Sequence, residues 1–312
     1  MTKQEEFLRR LNGELRPSRL DIIEKDYHLH RLLRDISRDD YLSGNLVFKG
    51  GTCLIKAHIG YFRFSEDLDF TWKNKEFWEG RTPSQTRRKC SKEIDLIIEH
   101  IVPIAKELGL IFEGDKSNTD QVIIGGGGRM PRFYLSYTSV STGKPAKIKM
   151  EINFVEKTLF PYMGMDLTSF IGDIKLEELE LLYKDEYRDY TSPIKIECYD
   201  PREIYTDKCR AALTRLAYKF RDIIDIMVLQ QRYDYSIIQY SKSLLDKTAF
   251  MLDIYTKYRD NLETKELPEA EDVMEQEMDL LIKKPEGNLK ENVDRIHQEL
   301  EQIRMQLLKI RK

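Results

Sequence analysis

The feature that most constrains this chain is a pair of glycines at the end of an apolar run, followed at a set distance by two aspartates one residue apart. Leu46-Val47-Phe48-Lys49 leads into Gly50-Gly51-Thr52, and fifteen residues separate Gly51 from Asp67 in Arg63-Phe64-Ser65-Glu66-Asp67-Leu68-Asp69-Phe70. This order predicts a strand, a glycine turn into a helical segment, and a second strand. Positions two apart in a strand share a face, so Asp67 and Asp69 point to one place while Leu68 and Phe70 turn to the core. Two carboxylates held that close require a cation.

The chemistry that needs these parts is nucleotidyl transfer. Glycine lets the backbone approach a polyphosphate, and the free N–H groups at the start of a helix favour negative charge. Thr52 adds a hydroxyl donor. Paired aspartates suit one or two Mg2+ ions, about 4 Å apart in two-metal sites, that clamp the oxygens of an in-line displacement. Either motif alone is commonplace, because strand-to-helix turns often use glycine and most Asp-x-Asp pairs are solvated. Their combination resembles the Gly-Gly to Asp-x-Asp signature of the minimal nucleotidyltransferase superfamily, which is polymerase-beta-like in fold.

With 51 basic against 54 acidic residues among 312, the net charge is −3, so no global field marks the chain for nucleic acid or membrane. Any RNA contact must come from a local patch. The length allows one large or two modest domains. Cys53, Cys90, Cys198 and Cys209 are scattered without zinc-site spacing and read as thiols of a reducing compartment. The start Met1-Thr2-Lys3-Gln4-Glu5-Glu6 lacks a signal-peptide core, and no apolar run approaches the ~18 residues needed to span a membrane. The expectation is a soluble, cytoplasmic protein with no membrane partner.

Residues 18–37 read as a helix with Ser18 as cap and Asp21 three residues on, and with Ile22, Ile23, Tyr27, Leu29, Leu32, Leu33 and Ile36 as its apolar stripe. Its Glu24-Lys25-Asp26-Tyr27 segment reads as a solvated face with one core tyrosine, and His28 and His30 as structural residues on different faces. Residues 84–108 read as a helix interrupted by Pro103, and 121–124, 132–139 and 147–154 as strands. Gly125-Gly126-Gly127-Gly128 reads as a hairpin tip and not a phosphate loop, since no helix start follows. In 147–154, alternation puts Lys147, Lys149, Glu151 and Asn153 on one face. Glu151 is the candidate third metal-binding carboxylate, with a merely solvent-exposed face as the alternative.

From about residue 195 the pattern turns helical. Residues 203–217 carry Lys208 and Arg215 on one side, and in Phe220-Arg221-Asp222-Ile223-Ile224-Asp225 the spacing of Arg221 and Asp225 suits a surface pair, leaving Asp222 unexplained. Leu289, Val293, Ile296, Leu300, Ile303, Leu307 and Ile310 form a heptad stripe. It either packs on the chain's own helices or forms an interface with a second copy or partner, and the sequence leaves the oligomeric state open.

Taken together, Ile23-Glu24-Lys25-Asp26-Tyr27, Phe48-Lys49-Gly50-Gly51-Thr52 with Leu54 and Lys56, Arg63 to Asp69, Asp207-Lys208-Cys209-Arg210-Ala211 with Arg215, and Arg221-Asp222-Ile223-Ile224-Asp225 resemble the AbiEii/AbiGii toxin family of nucleotidyltransferases over roughly residues 18–230. The resemblance implies an α/β (α+β) protein: a polymerase-beta-like nucleotidyltransferase lobe with a mixed sheet, residues 1–195, a helical C-terminal lobe, 196–312, and an active cleft between them. It implies the toxin half of a toxin-antitoxin or abortive-infection system, with a separately encoded antitoxin, Mg2+ as cofactor and an NTP as substrate. Some members add nucleotides to the 3′ end of tRNA. Carried onto this sequence, Gly50, Gly51, Thr52, Lys56 and Lys208 bind the nucleotide, Asp67 and Asp69 hold the metal with Glu151 as third candidate, and Lys208 and Asp222 complete the catalytic set. Cys209 stands where a leucine-like residue is usual, a change that bears on local packing.

Two other functions remain open at this level. The acceptor hydroxyl belongs to a protein or a small molecule in one, which the lack of basic excess favours. In the other the chain is a non-catalytic nucleotide- or partner-binding module, against which the intact Asp67, Asp69, Lys208 and Asp222 argue.

Overall fold

The computed structural model describes residues 2–15, 19–269 and 280–310. Ser18, expected to cap the first long helix, falls outside them, as does the side chain of Ile310. The chain divides into two units, Met1–Val155 with Tyr162–Cys198, and Glu156–Pro161 with Tyr199–Lys312.

The first unit opens with α1 (Lys3–Glu14), which the sequence reading did not single out. Thr2 and Glu5 close a capping box at its start. Then come α2 (Leu20–Arg38), α3 (Asp40–Asn45), β1 (Leu46–Lys49) and the short α4 (Gly50–Cys53), which runs on as a wider helical turn over Leu54–Ile59. After β2 (Asp67–Trp72), α5 (Pro83–Glu107) starts on a Thr82–Gln85 capping box and continues unbroken through Pro103, where an interruption was expected. The remainder is β3 (Val122–Gly125), β4 (Met130–Thr138), β5 (Pro145–Asn153), β6 (Met163–Leu167), α6 (Glu177–Leu182), α7 (Lys184–Thr191) and β7 (Ile194–Cys198).

These strands form one seven-stranded sheet in the order β3-β4-β5-β2-β1-β7-β6. It is mixed, as expected: β2 pairs parallel with β5, β1 pairs parallel with β7, and the other neighbours are antiparallel. Alternation decides its faces. Phe48, Leu68, Phe70, Met150, Ile152, Phe133 and Leu135 are wholly buried, so the intervening positions face the other way. The Gly126–Gly128 stretch is the turn of the β3–β4 hairpin.

The Glu24–Tyr27 segment of α2 corrects its sequence reading. Glu24 is 0 % and Asp26 3 % exposed, and neither belongs to a solvated face. Glu24 accepts hydrogen bonds from the Ser139 hydroxyl at 2.8 Å and the Val140 N–H at 2.6 Å. These groups end the β4–β5 hairpin, whose turn donors would otherwise be buried without partners. His28 and His30 are both buried, in keeping with structural roles.

The second unit is helical: α8 (Pro201–Thr214), α9 (Phe220–Tyr233), α10 (Ser241–Ile254), α11 (Thr256–Thr264) and α12 (Leu289–Ile310). Pro201 at the first helical position and an Asp200 side chain accepting the Arg202 N–H start α8. Glu203 accepts the N–H groups of Leu159 and Phe160, which joins the 156–161 segment to the helices. The heptad stripe of α12 lies on this unit: Val293, Ile296 and Leu300 are 0 % exposed and α12 packs on α8, α9 and α10. Among the described residues no helix is long and apolar enough to cross a membrane.

Candidate active site

Cross-strand register assembles the expected carboxylates. Asp69 stands opposite Lys49 on β1 and opposite Glu151 on β5, while Asp67 stands opposite Lys149. Glu151 in turn faces Arg132 on β4. Asp67, Asp69 and Glu151 therefore share one sheet face, with the cations of Lys149 and Arg132 against them: Lys149 Nζ lies 2.9 Å from Asp67 Oδ2, and Arg132 Nε 3.2 Å from Glu151 Oε2. Burial and the neighbouring Glu151 and Asp67 push the Asp69 carboxyl above the usual range, against the opposing pull of Lys149 and Lys49. Lys149, despite its own burial, is held charged by Asp69 and Asp67.

The two glycines are fitted to this arrangement. Gly50 has φ +77°, and a Cβ there would come within 2.5 Å of Asp69 Oδ2. A Cβ on Gly51 would stand 2.5 Å from an Arg63 guanidinium nitrogen and 3.1 Å from Ser65 Oγ. Arg63 is itself 2 % exposed and donates to the Phe64 carbonyl at 2.7 Å. The glycines are thus required by the side chains laid across them as much as by the turn.

Thr52 and Lys56 take internal partners. Thr52 is 2 % exposed, and its hydroxyl lies 2.5 Å from the Asp67 carbonyl oxygen and 2.9 Å from Ser65 Oγ, which pins the loop to the aspartate strand. Lys56, expected at the nucleotide, instead closes a buried ion pair with Asp26 at 2.9 Å, its side chain 1 % exposed. Tyr61 and Tyr190 donate to the same carboxylate at 3.0 and 2.7 Å. Burial alone would raise the Asp26 carboxyl, but Lys56 and Tyr190 outweigh it and keep it ionised. An ammonium so enclosed and paired is a structural element of the loop's underside, and the sequence reading of Lys56 as a nucleotide ligand is corrected accordingly.

In the second unit, Lys208 on α8 contacts two carboxylates of α9, Asp222 at 2.6 Å and Asp225 at 2.7 Å, and Arg215 Nη1 lies 2.5 Å from Asp222. Asp225, which its spacing suggested for a helix surface, is a buried acid, 0 % exposed. Burial raises the Asp222 carboxyl, yet Lys208 and Arg215 dominate and hold it far below the usual range. So weak a base is suited to orienting a cation and not to taking a proton.

Among the described residues no group of three or more His, Cys, Asp or Glu side chains meets the geometry of a metal centre. The donor set of Asp67, Asp69 and Glu151 nonetheless fits a hard divalent cation, since all are oxygen donors on one sheet face. Lys149 and Arg132 supply the positive charge in the structure as it stands. The sequence reading missed Arg132 as a neighbour of Glu151 and Asp26 as the partner of Lys56, because neither pairing has a local spacing signal.

Two solved structures from Helicobacter pylori are similar to this chain in outline. JHP933 is 14 % identical with a TM-score of 0.45, covering 92 % of this chain and 94 % of its own. A provisionally assigned nucleotidyltransferase is 14 % identical with a TM-score of 0.42, covering 93 % of this chain and 97 % of its own. Comparison with curated proteins gives no match. The profile described as nucleotidyl transferase AbiEii toxin, type IV toxin-antitoxin system, matches residues 31–302, a range that contains the glycine turn, the paired aspartates and the Lys208–Asp222 cluster. This chain belongs to the AbiEii family of nucleotidyl transferase toxins.

Proposed function

We propose that this toxin transfers a nucleoside monophosphate from an NTP to the 3′ hydroxyl of an RNA, tRNA being the acceptor class the sequence resemblance implies, with Mg2+ held by Asp67, Asp69 and Glu151. The observation that carries the proposal is the seating of Asp69 beneath Gly50 and beside Glu151, which sets a carboxylate pair directly against a glycine turn whose N–H groups suit a triphosphate. In the reaction the acceptor oxygen gives up its proton to solvent and bonds to the α phosphorus, the bond from that phosphorus to the α–β bridging oxygen breaks, and pyrophosphate leaves with the β and γ phosphates. Mg2+, when bound, supplies Lewis-acid stabilisation of charge on the phosphoryl oxygens. Gly50 and Gly51 let Asp69, Arg63 and Ser65 close onto the turn, and Thr52 fixes the loop whose N–H groups are to meet the phosphates. Lys208 is the proposed phosphate cation, with Asp222 holding its ammonium in place. Its family places the protein beside a separate antitoxin, which this reading takes to be encoded by a neighbouring gene.

The test is incubation with an α-labelled NTP and total RNA or total protein. Label at RNA 3′ ends, lost in Asp67→Asn and Asp69→Asn at unchanged melting temperature, is the expected result. The charged form of Asp69 is disfavoured in the fold, so its neutralisation leaves stability at pH 7 equal or higher. Label confined to protein, or transfer by both variants at the wild-type rate, overturns the reading.

A further inference from the structure

The face that carries the aspartates does not end at Glu151. Register continues it outward, from Asp67 to Lys149 to Tyr134, and from Asp69 to Glu151 to Arg132 to Ile123 on β3. Lys147, two positions along β5, pairs with Ser136 in the next row. The opposite positions, Ile148, Met150, Phe133 and Leu135, are wholly buried, whereas Arg132, Tyr134 and Lys149 are half-exposed and Lys147 is exposed. Ile123 is 38 % exposed at the outer margin. The Lys147 ammonium lies 5.8 Å from the Tyr134 ring centroid and donates to the Asp120 carbonyl at 3.2 Å.

A solvent-facing sheet surface that interleaves cations with an aromatic ring has the chemistry of a single-strand nucleic-acid platform: rings stack on bases of any sequence and cations track the phosphates. The chain's net charge of −3 gives no general attraction for a polyanion, so an RNA must find its cations locally. We propose that this face of β3, β4 and β5 receives the single-stranded 3′ end of the acceptor, with a base against Tyr134 and backbone phosphates at Lys147 and Arg132. The row from Tyr134 through Lys149 to Asp67 then leads the terminal hydroxyl to the carboxylates. This inference rests on the RNA-acceptor reading above and names the surface that serves it.

The experiment is binding of a short single-stranded RNA, labelled at its 5′ end, to the full chain without NTP, followed by anisotropy across a salt series. A fluorescent NTP is titrated against the same proteins. Tyr134→Ala weakens RNA binding about tenfold while Tyr134→Phe, which keeps the ring, stays within about twofold. Lys147→Ala lowers the dependence of log affinity on log salt by about 0.7, the share of one phosphate contact on a single strand. Arg88→Ala, an exposed cation on α5 and not on β3, β4 or β5, leaves binding unchanged, and NTP affinity is the same in all four variants. If the wild type binds RNA and labels it, yet Tyr134→Ala and Lys147→Ala bind it as tightly, the platform is overturned and the function stands. A wild type that binds no RNA and labels protein instead overturns both.

Discussion

At Gly50 two requirements meet on one residue: a left-handed backbone angle and an Asp69 oxygen where a side chain would begin. The angle alone costs a non-glycine residue about 1–2 kcal/mol, and the clash adds displacement of the carboxylate. Gly50→Ala is therefore expected to lower stability by at least that amount and to remove transfer, measured by denaturant melts and labelled-NTP incorporation. Gly44, where the Cβ of an alanine would meet nothing within 4 Å and φ is not positive, is the comparison: Gly44→Ala leaves both unchanged or adds a few tenths of a kcal/mol. Lys208, the proposed phosphate cation, also holds two buried carboxylates. Removing it in Lys208→Ala leaves Asp225 buried without this cation and Asp222 with Arg215, so a stability loss of about 3–5 kcal/mol accompanies any loss of activity. A variant as stable as wild type in urea would show that the cluster contributes nothing to the fold. The site's polar skeleton was legible at this scale because it rests on local rules: Asp67, Asp69 and Glu151 follow from a period of two. The partners Lys149 and Arg132 were not, because register across 82 or 19 residues of chain is set by packing that no spacing encodes.

Among the elements, α2 departs furthest from its sequence pattern. The run Glu24-Lys25-Asp26 looks solvent-facing, yet Glu24 and Asp26 are buried like His28 and His30, each against a partner from elsewhere in the same unit. Glu24 binds the β4–β5 hairpin end, Asp26 binds Lys56 and two tyrosines, and His30 Nε2 donates to the Ser192 carbonyl at 3.0 Å, its Nδ1 left without a partner. Helical periodicity finds apolar faces and is silent about buried charge, so Ile22, Ile23, Leu29 and Leu33 were readable and the acids were not. A pH dependence follows. Burial, with Arg31 and Lys56 adding to it, pushes both His28 and His30 down to about 3, below the ordinary value of 6.5. Between these values the unfolded chain binds the extra protons, so stability is full above about pH 6.5 and falls by about 1.4 kcal/mol per pH unit per histidine below it. Asp26, held below its ordinary 3.8, adds a further loss only in stronger acid. Melting temperatures from pH 7.5 to 5 should drop steeply, and His28→Phe, which keeps a ring against Tyr137, should flatten the slope; an unaltered slope would exclude His28 as its source.

For the molecule as a whole, the decisive element is α12, whose heptad stripe permitted either an interface or internal packing. Val293, Ile296, Leu300, Ile303 and Leu307 are all at most 3 % exposed within the chain itself. The helix is also fastened by polar contacts in its own unit: Arg304 donates to the Leu262 and Glu263 carbonyls at 2.7 and 2.6 Å, and Arg295 to Gln230 at 2.9 Å. Each buried aliphatic side chain contributes about 1.5–3 kcal/mol, so five exceed most of the net stability of an ordinary domain even after allowance for a compact unfolded state. The stripe is consequently spent inside the second unit and does not remain free to pair with an antitoxin or a second copy. Truncation after Asn288 should unfold that unit, lower the melting temperature and expose surface that binds a hydrophobic dye. Met305, 46 % exposed on the outer side of the same helix, gives the opposite result: Met305→Lys retains stability and mass. Were the truncated chain to melt like the full one and lose only self-association in light scattering, the stripe would be an interface after all.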